Sequence, residues 1–279
     1  MKILNTHEYN EKLKIRPVNI NDMKPHVEYQ YFPNTKEELK ELIYKLTNER
    51  GSGCDLNDID VSKITDMSDL FCGVLFHGNI SLWNVSNVTN MSRMFIWEKC
   101  FNCDLSNWDV SNVTDMSQMF RSSGFNMDIS RWNVSNVVNM EAMFYNTHFN
   151  QDISKWDVSK VTNMASMFSS AKKFNQNLSK WDVSKVANMS YMFCNAVDFN
   201  GDTSTWNVSS ATNMEGMFKN ADSFNQDISK WNVKSVVYKK DMFRNAVSFK
   251  QDLSSWDFNG MNNNELEEMF ENCPAGDLL

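Results

Sequence analysis

The stretch Phe149-Asn150-Gln151-Asp152-Ile153-Ser154-Lys155-Trp156-Asp157-Val158-Ser159-Lys160-Val161-Thr162-Asn163-Met164-Ala165-Ser166-Met167-Phe168 decides the reading of this chain, because nearly the same phrase recurs along most of its length. Its tryptophan has counterparts at Trp83, Trp108, Trp132, Trp181, Trp206, Trp231 and Trp256, always 24 or 25 residues apart. A weaker copy, Asp55-Leu56-Asn57-Asp58-Ile59-Asp60-Val61-Ser62, puts Ile59 in the tryptophan slot and continues to Met67, Leu70 and Phe71, which makes nine coils. A fixed period in this range marks a repeat architecture, in which each unit buries its apolar side only against its neighbours.

Counted from the tryptophan as position 0, apolar residues fall at −3, 0, +2, +5, +8, +11, +12 and +15. The last four, for example Met189, Met192, Phe193 and Ala196, stand at i, i+3, i+4 and i+7, which predicts a short helix. Asn163, Asn188 and Asn213 immediately before it are placed to cap its free N–H groups. The segment from Phe149 to Val158 has no helical period and leads into β-favouring Trp and Val, so it reads as a short strand. The expected fold class is therefore α/β: a leucine-rich-repeat-like solenoid of about nine 24–25-residue strand-turn-short-helix coils, their strands stacked into a parallel ladder.

Such a stack needs covered ends. Thr35-Lys36-Glu37-Glu38 resembles a capping box, Leu39, Leu42, Ile43 and Leu46 follow at helical spacing, and Gly51 stands where a helix would stop. At the far end Phe258 replaces the usual Val, and Glu265, Glu267, Glu268 and Glu271 give a final helix a polar side. The expected organisation is an amino-terminal extension over 1–34, a capping helix over 35–53, the repeats over 54–258 and a carboxy-terminal cap over 259–279.

Composition narrows the function. With 27 basic and 35 acidic residues the formal charge is −8, which argues against a nucleic-acid backbone as the ligand. The start, Met1-Lys2-Ile3-Leu4-Asn5-Thr6-His7-Glu8, lacks the long apolar core of a secretion signal, and no stretch approaches a membrane span, so a cytoplasmic protein is expected, with export by a route not visible in the sequence as the alternative. The six cysteines share no repeat column, and Cys100-Phe101-Asn102-Cys103 has no second pair for zinc, so free structural thiols are expected. His7, His26, His77 and His148 are scattered, and neither a repeated nucleophile with a base nor a phosphate loop is present. We expect a non-enzyme with no cofactor and no metal.

The phrase from Phe149 to Met164 resembles the units of BspA-like leucine-rich repeat surface proteins, in particular the mycoplasma-type subgroup, and the likeness covers about residues 55 to 270. What the resemblance implies is a repeat fold displayed by bacteria and some protists, with adhesion or protein binding as its role. Read from its sequence, the chain is expected to depart from surface members, since no leader, lipid-attachment cysteine or wall-sorting pattern is recognised in these residues.

Candidate sites are places where columns of the repeat could act or where they break. Position −4 is acidic in Asp104, Asp128, Asp152, Asp202, Asp227 and Asp252; these carboxylates either accept hydrogen bonds from the following turn or bind calcium, and we read them as structural. The Asn column at Asn126, Asn150, Asn175, Asn200 and Asn225 reads as an internal hydrogen-bonded ladder, and the Trp and Met columns as core. Positions +13 and +14, polar or small in most coils, become Ile96-Trp97 in coil 2, with Tyr145 at +13 of coil 4. That cluster is either a binding hot spot or a seat for the amino-terminal segment around Tyr29, Tyr31 and Phe32. Arg131, Lys155, Lys180 and Lys230 at −1 either bind an acidic partner or neutralise the Asp columns. Two functions follow: a non-catalytic scaffold that binds a partner protein along one edge, or an exported or virion-associated adhesin that reads a glycan or a host surface molecule. The start of the chain favours the first and the resemblance favours the second.

Overall fold

The computed structural model describes residues 27–258 and 261–278. It holds the repeat but corrects the elements expected inside it. Among the described residues the coils contain neither a strand nor a helix; they are built from turns, and neighbours meet in isolated parallel bridges, for instance Asn139 with Asn163 and Asn163 with Asn188. The strand-turn-helix coil and its parallel β-ladder are therefore not what this sequence forms.

The reason lies in two left-handed residues per coil. Position +10 (φ 56° at Ser166, 55° at Tyr191) and position +14 (φ 59° at Ser170, 57° at Asn195) have positive φ from coil to coil. A helix cannot pass through such residues. Amides at even positions turn outward along the stack and donate to the next coil: Met164 to Asn188 (2.9 Å), Ser166 to Ser190 (2.8 Å), Phe168 to Met192 (2.9 Å) and Ser170 to Cys194 (2.7 Å). Amides at odd positions close turns three residues back, as from Met167 to Met164 and from Ser169 to Ser166. Two residues point in and two point out. Met164, Met167, Phe168 and Ala171 are fully buried, the same set that a helix would bury, so an i, i+3, i+4, i+7 pattern fits both geometries over eight residues.

A left-handed non-glycine residue costs about 1–3 kcal/mol where its surroundings hold it. Against that stand the inter-coil hydrogen bonds, each about 0.5–1.5 kcal/mol net, and the burial of each Met or Phe, about 1.5–3 kcal/mol. Stacking therefore wins only when a neighbouring coil is present. Asn at +14, as in Asn146, Asn195, Asn220 and Asn245, lowers the cost because Asn tolerates this conformation better than most residues.

The expected strand fails for a related reason. Trp156 N–H donates to Ile153 (3.1 Å) and Val161 N–H to Val158 (2.9 Å), while Asp152 and Asp157 accept from the amides of Ser154 (2.9 Å) and Ser159 (3.1 Å). Each such turn bends the chain before a strand can extend. Asn163 accepts from Ala165 N–H at 3.1 Å, so it makes the bond of a helix cap on a turn that starts no helix.

Side chains lock the coils in register. Each of the eight column Trp indole N–H groups reaches back to a carbonyl of the preceding coil, as from Trp156 to Ile129 (3.1 Å), and adjacent Trp132 and Trp156 rings stack at 6.5 Å. The amide of Asn150 donates to the Asn126 side chain at 3.0 Å, and that of Asn175 to Asn150 at 3.0 Å, which forms the Asn ladder. Phe168 and Phe174 stack at 3.8 Å inside the coil.

The ends are closed by the only two α-helices among the described residues, α1 (Lys36–Arg50) and α2 (Asn263–Met269), with a 3-10 turn over Pro274–Leu278. Thr35 Oγ1 accepts from Glu38 N–H at 3.2 Å, but Glu38 receives the amide of Asn34 (2.7 Å), one residue before the cap. Leu39, Ile43 and Leu46 are fully buried against coil 1. Because the turn ladder sends its amides forward, its first coil offers carbonyls and its last offers N–H groups. On the carbonyl side Lys40 Nζ donates to the carbonyl of Asp69 (3.0 Å), and Lys36 Nζ binds the Ser68 hydroxyl. On the amide side Phe243 donates to Met269 (2.9 Å) and Asn245 to Glu271 (2.7 Å), carbonyls at or just past the end of α2 that its helix leaves free.

Candidate interaction site

The outward positions +9, +10, +13 and +14 form one face of the stack, and on it coils 2 to 4 differ from the rest. Trp97 occupies the left-handed +14 slot at φ 65° and is 60% exposed, whereas Trp83, Trp108, Trp132, Trp156, Trp181, Trp206, Trp231 and Trp256 are 3–5% exposed. Bulky aromatic residues are uncommon at positive φ. Its amide donates to the carbonyl of Arg121 (2.9 Å), and one rung further the amide of Ser122 donates to Tyr145 (2.8 Å). Those two bonds place Trp97, Arg121 and Tyr145 on consecutive coils. The Arg121 guanidinium lies over the Tyr145 ring at 4.7 Å and donates to Gln118 Oε1 at 3.1 Å.

Of the cluster expected from sequence, the structure thus joins Trp97 to Tyr145 through Arg121, a residue that read as ordinary polar surface. Its stacking on the next coil's tyrosine was signalled by both occupying +13. Ile96 does not add to the exposed surface: it stands at the outward position +13 but is only 3% exposed and lies outside the core cluster, as does Cys194 at the same position. Tyr29 pairs edge-on with Phe32 at 6.4 Å and Tyr31 lies under the Arg50 guanidinium at 5.5 Å, and neither of these contacts includes Trp97. The extension before residue 27 lies outside the described residues. Leu75, 68% exposed, precedes Phe76, whose amide donates to the Glu98 carboxylate (3.1 Å), and Glu98 follows Trp97 in the chain. Glu98 itself is buried, and burial pushes its carboxyl above the usual range.

Arg131, Lys155, Lys180 and Lys230 are exposed and lie elsewhere, beside the Asp columns. The hydroxyl and amide of Ser154 hold the Asp152 carboxyl below the ordinary range, and Lys155 and Lys180 add to this. Ser130, then Arg131, act likewise on Asp128, and Ser229, then Lys230, on Asp227. The turn amides at −2 thus occupy the −4 carboxylates. His77 lies 3.0 Å from the Ser52 hydroxyl, His148 is exposed, and His7 and His26 lie outside the described residues. Among the described residues no helix is long and apolar enough to cross a membrane.

A stack of such coils belongs to the class of repeat proteins. The chain belongs to the family described as "Mycoplasma protein of unknown function, DUF285", which matches it over residues 38–148, 122–215 and 179–277. Among curated proteins nothing matches it.

Proposed function

We propose that this protein is a non-catalytic repeat scaffold that holds a partner protein on the face carrying Trp97, Arg121 and Tyr145. The observation that carries the reading is Trp97: a large aromatic side chain is kept in a left-handed slot, where it is exposed. Strained, exposed aromatics cluster at binding sites, and Trp, Tyr and Arg are the residues that dominate binding energy in protein interfaces. An adhesin that stacks a sugar on Trp97 is the second reading, supported by the resemblance to BspA-like surface proteins.

The test is affinity purification of tagged wild-type and Trp97→Asn chains from the native cell, read by mass spectrometry. A protein recovered with wild type and lost with the variant supports the scaffold. Identical recovery from both contradicts it. Protease treatment of intact cells separates the two readings, since an adhesin is cut and a cytoplasmic scaffold is not.

A further inference from the structure

We infer that the occupant of the Trp97–Arg121–Tyr145 surface is an acidic peptide segment with an apolar anchor side chain, an inference that rests on the scaffold reading above. Charge is the first argument. On the same face Arg93 pairs with Asp69 (2.7 Å), Lys219 with Asp241 (2.6 Å) and Arg244 with Glu271 (2.9 Å). Arg121 has no acidic partner among the described residues, although the whole chain carries a formal charge of −8. A guanidinium has five N–H donors, and here Gln118 takes a bond from one of its nitrogens while Tyr145 covers one face of the plane. The remaining edge is preoriented for a carboxylate.

Exposed apolar side chains stand next to the hydrogen-bonded pair Phe76 and Glu98: Leu75 precedes the first and Trp97 the second, and both are mostly exposed. An aliphatic and an indole surface together suit an apolar side chain better than a hydroxylated sugar ring, which favours peptide over anionic glycan. The backbone contributes little to recognition. The amides of Trp97 and Ser122 are already spent on the next coil, so a partner cannot add to this face by main-chain pairing and must be read by side chains.

The probe is a fluorescein-labelled copolymer of glutamate and tyrosine, with polyglutamate, a lysine–tyrosine copolymer and heparin as comparators, titrated into the full chain by fluorescence anisotropy. We expect the glutamate–tyrosine copolymer to bind more tightly than any comparator. Arg121→Met keeps the stem but loses the charge, and should weaken binding about tenfold, the size of one charge-assisted contact. Arg121→Lys should retain part of it, and Arg244→Met, on the paired cluster, should change nothing. Thermal melts of each variant confirm folding. Equal binding of the lysine copolymer, tighter binding of heparin, or no effect of Arg121→Met overturns the inference. If those results appear while Trp97→Asn still loses a cellular partner, the scaffold reading stands and only the acidic-peptide inference fails.

Discussion

The outer face carries two clusters built on the same repeat positions, and they have opposite electrostatic character. In coils 6 to 8, with the residues that follow, Tyr191 bonds Glu215, Lys219 bonds Asp241, and Arg244 bonds Glu271, so nearly every charge meets its counterpart within the molecule. In coils 2 to 4, Arg121 stacks on Tyr145 without an acid, and Trp97 projects from a strained position. One backbone ladder supports both. The difference teaches that identical turns can present a closed cross-coil staple or an open surface, according to which side chains fill +10, +13 and +14.

The comparison breaks most visibly at Asp241, which is buried between Lys219 and Arg244 with Oδ2 2.6 Å from Lys219 Nζ. Removing one partner of a buried ion pair costs about 3–5 kcal/mol, and less when the cations reach solvent, as they do here. Asp241→Asn, which still tolerates positive φ, should cost about 2 kcal/mol and lower the melting temperature by about 4–8 °C. Arg121→Met in the open cluster should lower it by about 1 °C or less. Similar losses from both would erase the distinction.

A smaller effect is expected at Gly216. A Cβ there would lie 2.4 Å from Tyr191 Cε1, and the residue has φ 56°, so the absent side chain is what lets the Tyr191 ring cross to Glu215. Gly216→Ala should cost about 1–2 kcal/mol by thermal melting and expose Tyr191 to solvent, measurable as a lowered tyrosine titration midpoint. Burial and the Glu215 carboxylate hold that phenol well above its ordinary value in the wild type.

The smallest effect separates the open cluster by pH. Burial raises the Glu98 carboxyl, so the folded state resists its ionisation and loses stability as pH rises from the ordinary glutamate value, about 4.3, through the higher folded one. Glu98→Gln keeps an oxygen for the Phe76 amide and should melt slightly higher than wild type at pH 7 but not at pH 4. An advantage that persists at pH 4 would assign the effect to packing instead.

The repeat and its buried columns were legible in the sequence, because a tryptophan every 24 or 25 residues fixes the register and the Val, Met and Phe positions follow it. The conformation between them was not. Met164, Met167, Phe168 and Ala171 obey a helical spacing that a two-in, two-out turn ladder also satisfies, and the left-handed signal was carried by Asn146, Asn195, Asn220 and Asn245 at +14, with Gly73 at +14 and Gly216 at +10. Ile96 stands at an outward position in either geometry, so its burial at 3% exposure outside the core cluster could not be read from the period. Trp97 and Tyr145 stood out as breaks in a column. Arg121 did not, because its role comes from contact with the next coil, not from its own type.

On this reading Trp97 is held in its left-handed slot for what it binds and not for what it stabilises. Replacing it with Asn, the residue that coils 6, 7 and 8 use there, and measuring the melting temperature of the full chain tests this directly. The variant should melt at the wild-type temperature or up to about 3 °C higher, as about 1 kcal/mol of strain is relieved. A fall of several degrees would mean that Trp97 holds the fold together, and would contradict the claim.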